Sequence, residues 1–75
     1  MSDSDQTTGT PDITYDLVSV LYHALQGAEL CEEYASNAEE AGAQEVAQFF
    51  REVQAEERRR ADRAKQLLAG RLQTG

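Results

Sequence analysis

Seventy-five residues carry fourteen acidic and seven basic side chains, a formal net charge of -7, and one cysteine. Such a chain folds as one small domain at most, builds no internal disulfide and no cysteine-based zinc cage, and offers nucleic-acid phosphates no basic surface. No apolar run approaches the roughly 18–20 residues of a membrane span, and "MSDSDQTTGT" is unlike a secretory signal. The expectation is a cytoplasmic protein without nucleic-acid or membrane partners.

In chain order, residues 1–11 are small and polar and read as a disordered tail. Asp12 or Thr14 can cap a first turn, and no proline follows, so a helix is expected over about 12–41. Within it Leu17, Leu21, Ala24, Ala28, Cys31, Ala35 and Ala38 alternate spacings of four and three, the seam of a helix packed nearly parallel to another. Gly42 follows "NAEEA" and suits the left-handed residue that ends a helix.

A second helix is expected over about 43–69, with Val46, Phe50, Val53, Glu57, Arg60, Ala64 and Leu67 on its seam and Phe49 and Leu68 widening it. Residues 12–72 thus form an all-α antiparallel hairpin with rods of roughly 40 Å, and residues 73–75 a short C-terminal tail. One hairpin covers one side of each helix. Val18, Tyr22 and Leu25, with Phe49, call for further cover, and two hairpins packed face to face supply it as a four-helix bundle. Leu17, Leu21, Leu25, Phe49, Phe50 and Val53 are the expected core and dimer residues. The expected partner is therefore a second copy, in a dimer or a higher even number; a larger protein or a fused domain is the other source of cover.

The stretch "VQAEERRRADRAK" puts charge on this seam. Glu57 lies on the core line whether the seam runs through Val53 and Ala64 or through Phe50 and Ala61. Counting outward from Gly42 brings Glu29 to the level of Glu56 and Glu57, and Glu32 to that of Glu52 and Val53. Carboxylates facing one another out of water need a cation, because desolvation and like-charge repulsion both favour protonation. In metal-binding bundles that cation is held by a Glu and a Glu-x-x-His on facing helices. Here Arg60 stands three residues after Glu57; a guanidinium has no lone pair for a metal, and its fork of donors suits carboxylates. Glu29, Glu32, Glu57 and Arg60 are the expected polar cluster, with the cation supplied by the chain itself.

From His23 to Leu68, "HALQGAELCEEYASNAEEAG" followed by "AQEVAQFFREVQAEERRRADRAKQLL" resembles the ferritin-like superfamily. The likeness is to rubrerythrin-type hairpins, to the short encapsulated ferritins that dimerise into a four-helix unit, and to cyanobacterial hairpins, some fused to other domains. By position Glu29 matches the first-helix carboxylate of the encapsulated type, Glu57 the glutamate of the Glu-x-x-His motif, and Arg60 its histidine. The resemblance implies a ferritin-like fold and iron oxidation at the dimer interface; the arginine departs from it.

His23 reads as a surface or interface residue, Cys31 as a packing residue followed by the acidic Glu32 and Glu33, and Tyr15, Tyr22 and Tyr34 as rings capping a bundle. The expected function is association by a ferritin-like hairpin that has lost a competent di-iron site, with no cofactor. The alternative is a ferroxidase-type protein with iron on Glu29 and Glu57 of two subunits.

Overall fold

A computed structural model describes residues 12–74 as two helices, α1 (Ile13–Glu40) and α2 (Gln44–Thr74), packed against each other as an antiparallel hairpin. The expected N-terminal tail and Gly75 lie outside the described residues. At about 1.5 Å per residue the 28 and 31 residues of the helices make rods of roughly 42 and 46 Å.

Local chemistry sets each boundary. Asp12 caps α1, its Oδ1 accepting from the Tyr15 N–H at 2.9 Å. At the other end Gly42 takes φ 78°, where its N–H donates to the Glu39 carbonyl at 3.0 Å and that of Ala43 to the Ala38 carbonyl at 2.9 Å. These two bonds satisfy carbonyls that the helix end would otherwise leave open. The backbone then re-enters a helix at once, the Ala47 N–H donating to the Ala43 carbonyl at 2.9 Å. α2 continues past its expected end near Ala69, running through Gly70 to Thr74. A glycine inside a helix costs about 1 kcal/mol without breaking it, and Arg71 ties this last turn to the start of α1, its Nε donating to Thr14 Oγ1 at 3.3 Å.

The seam of α1 is as expected: Ala24, Ala28, Cys31, Ala35 and Ala38 are buried, with Leu17 and Leu21 half-buried toward the open end. On α2 the other seam prevails. Ala47, Gln54, Ala61 and Ala64 are buried, and Phe50, Glu57 and Leu68 are half-buried on the same line; Val46, Arg60 and Leu67 are exposed and Val53 half-buried. The cause is size. A row of alanines on α1 lets the facing backbone come close, which admits alanine from α2 and turns its β-branched and larger side chains outward.

The hairpin is consequently held by small groups. Among the described residues, every buried one apart from Gln54 is an alanine or Cys31, whereas Ile13, Val20, Tyr22, Leu25, Phe49 and Leu67 are among the large apolar residues left exposed. A buried methyl contributes roughly 0.8 kcal/mol, against roughly 1–2 kcal/mol of backbone entropy for each residue ordered.

Candidate functional site

Two helices side by side form a single layer with two broad faces, and cross-helix contacts show which residues share each face. Arg51 marks the first. Its Nε and Nη2 both donate to Glu39 Oε2, at 3.2 and 2.9 Å, and its Nη1 lies 3.8 Å from Glu32 Oε1. Farther from the turn, Tyr22, Leu25, Gln26, Ala28, Glu29 and Arg58 line an open groove. This face mixes carboxylates, arginines and a few apolar side chains.

The second face is more apolar. Ile13, Val20, Gly27 and Tyr34 recur every seven residues on α1, as do Val46, Val53, Arg60 and Leu67 on α2, so each set forms a stripe beside the seam. The rings connect the two stripes: Tyr34 lies 5.5 Å from Phe50, and Phe50 lies 5.9 Å from Phe49. Tyr34, Val46 and Phe50 also line a shallow groove near the turn with Asn37, Ala38 and Ala43. Val20, Tyr34, Val46, Phe49 and Leu67 are all exposed.

Charge enters this face midway along the helices. Glu57 is half-buried and accepts a hydrogen bond from Arg60 Nη1. Its Cδ and Cγ stand 3.5 Å from where a Cβ on Gly27 would be, so the carboxylate arm lies over the glycine. The Arg60 side chain is 56% exposed and that of Glu57 25% exposed. A pair so open to water adds less than about 1 kcal/mol, so its meaning is positional more than energetic.

The hairpin thus divides the expected polar cluster. Glu57 and Arg60 pair on the apolar face. Glu32 belongs with Arg51 and Gln54, and Glu29 lines the groove beside Arg58. Two positions beyond Gly27, Glu29 lies about 200° around α1, so level with α2 does not bring it to Glu57. Val18, Tyr22 and Leu25, expected to share cover with Phe49, are exposed, and Tyr22 and Leu25 lie on the flank that meets Arg58, away from the Phe49–Phe50–Tyr34 rings. His23 is exposed with its ring edge-on to Tyr22 at 5.4 Å, and Cys31 is buried in the seam. Among the described residues no three His, Cys, Asp or Glu side chains gather within one hairpin as a metal site, and no helix is long and apolar enough to cross a membrane.

Gln54 was not among the expected site residues. It is buried, and its Nε2 donates to the Ala28 carbonyl at 3.0 Å and to Glu32 Oε1 at 3.1 Å. The signal for it was the seam through Phe50 and Ala61, on which position 54 falls.

Compared with protein-family models, with curated proteins and with solved structures, the chain matches none.

Proposed function

We propose that this chain is a self-associating helical module whose working unit is two hairpins joined through the face bearing Val20, Tyr34, Val46, Phe49, Val53 and Leu67. What carries the reading is an inverted distribution of size: the seam fully buries alanines, Cys31 and Gln54, while most of the large apolar side chains stand outside it and are exposed. Stripes that recur every seven residues on both helices are the pattern by which helices pack into a bundle. Covering them with a like surface removes several large side chains from water at roughly 1.5–3 kcal/mol each when fully buried, and a two-fold pair satisfies both copies with one contact.

Within this reading Glu57 and Arg60 supply charge matching rather than catalysis. The place where a ferritin-like bundle holds a histidine is taken by a donor that binds the neighbouring carboxylate. The protein's task is then to bring copies, or whatever is attached to them, together.

Light scattering coupled to size exclusion tests this directly. The expected mass is twice the 8.3 kDa of the chain, or a higher even multiple, and the unfolding temperature rises with concentration. Phe49→Asp, an exposed position in one hairpin, is expected to return the mass to that of one chain. A single-chain mass for the native protein across the micromolar to millimolar range overturns the proposal.

A further inference from the structure

The hairpin is electrically lopsided along its length. From Gly27 through the turn to Glu57 lie nine carboxylates and one cation, Arg51; the remaining described residues, the open half, hold Arg58, Arg59, Arg60, Arg63, Lys65 and Arg71 against Asp12, Asp16 and Asp62. The sign of the charge changes at the level where Gly27 and Glu57 face each other, about midway along both helices.

We infer that the second copy docks antiparallel on the apolar face, with the arginine-rich half of each α2 beside the glutamate-rich half of the partner's α2. The inference rests on the self-association proposed above and adds its orientation. Two arrangements of a face-to-face pair are compatible with two-fold symmetry. With both turns at one end, α2 lies over the partner's α1, so the glutamate-rich half of α2 faces the glutamates of that helix, while its arginine-rich half faces a stretch whose only carboxylates are Asp12 and Asp16. With turns at opposite ends, α2 lies over the partner's α2, and its glutamate-rich half meets the partner's arginine-rich half. Complementary charge fixes register and orientation more effectively than it adds affinity, and here it discriminates between arrangements that bury similar apolar surface.

The Glu57–Arg60 pair agrees with the antiparallel choice. An axis crossing the face at the level of Glu57 stacks α2 on the partner's α2, so the two Glu57–Arg60 pairs come together around it. Val46 then opposes the partner's Leu67, apolar against apolar, at both ends. In the other arrangement α2 stacks on the partner's α1, and Arg60 meets the stretch around the partner's Ala24 and Gly27, which holds no carboxylate. Gly27 leaves open the space that this central pair of charges occupies.

The orientation is measured by pulsed dipolar spectroscopy on a spin label at Glu40→Cys, an exposed site beside the turn, with Cys31→Ala removing the native thiol. Antiparallel docking places the two labels about 40 Å apart, at 1.5 Å of helix per residue on either side of the axis. Turns at one end bring them within about 20 Å. A second label at Asp16→Cys, near the open end, is expected at about 35 Å and guards against a local effect of the first. A dimer with short distances at both sites overturns the orientation and leaves self-association standing. A monomeric labelled and native protein overturns both.

Discussion

The side-chain nitrogen Nε2 of Gln54 lies 3.0 Å from the main-chain carbonyl of Ala28, so a buried polar group of α2 is bonded to the backbone of α1. The same nitrogen reaches Glu32 Oε1 at 3.1 Å. Among methyl groups that could slide past one another, this amide has partners at one level only. Its removal should therefore loosen register as well as stability.

Gln54→Ala is expected to cost roughly 1–3 kcal/mol, through two lost hydrogen bonds and the space left in the seam. Gln54→Met keeps the bulk, leaves Glu32 free to turn to water, and is expected to cost less. Urea unfolding followed by circular dichroism ranks the two. Equal midpoints for the native chain and Gln54→Ala would show the amide to be dispensable.

Much of the hairpin is legible in the sequence because its signals are local. The spacing of Leu17 through Ala38 identifies one helix face, and Gly42 after "NAEEA" marks the turn through a backbone angle that few residues adopt. The level count from Gly42 brings Glu29 to the level of Glu57, and the structure sets Gly27 against Glu57 at that level. What the sequence leaves open is rotation about the helix axis. On α2, seams through Val53 and through Gln54 differ by one position, about 100° of turn, and hydropathy alone favours the valines. The alanines of α1 reverse that choice by demanding a small partner, a constraint on the pair of helices rather than on either one. The expected polar cluster divided for the same reason, since Glu29 has the right level and the wrong azimuth.

Gly42→Ala tests the turn apart from any packing. A Cβ there meets nothing within 4 Å, so the whole penalty is the left-handed φ of 78°. The expected loss is about 1–2 kcal/mol for an L side chain held in that region. Thermal melts of the two proteins at one concentration read it. An unchanged melting temperature would mean that the turn relaxes to another form without cost.

Ferrous iron titrated anaerobically is expected to bind the native protein no more tightly than the Glu57→Ala variant, and admitting oxygen should produce no faster ferric absorbance. The reason is local: the Glu57 carboxylate already accepts from Arg60, while Glu29 lies on the other flank of α1. Saturable binding at one or two irons per dimer that vanishes in Glu57→Ala would instead favour a metal site shared between subunits.

Gly27→Ala separates the stability of one hairpin from that of the pair. Within the hairpin the new methyl stands 3.5 Å from the Cδ and Cγ of Glu57, an ordinary contact, and alanine is the better helix former by about 0.5–1 kcal/mol. At concentrations where copies are separate the variant should therefore resist urea better than the native chain. At the centre of a docked face the same methyl occupies space required by the Glu57–Arg60 pairs, and overpacking of about 1.4 kcal/mol corresponds to a tenfold weaker association. Sedimentation equilibrium should show that weakening while the dilute melt moves in the opposite direction. If both quantities rise together, Gly27 lies outside the contact between copies and the docking face has to be placed elsewhere.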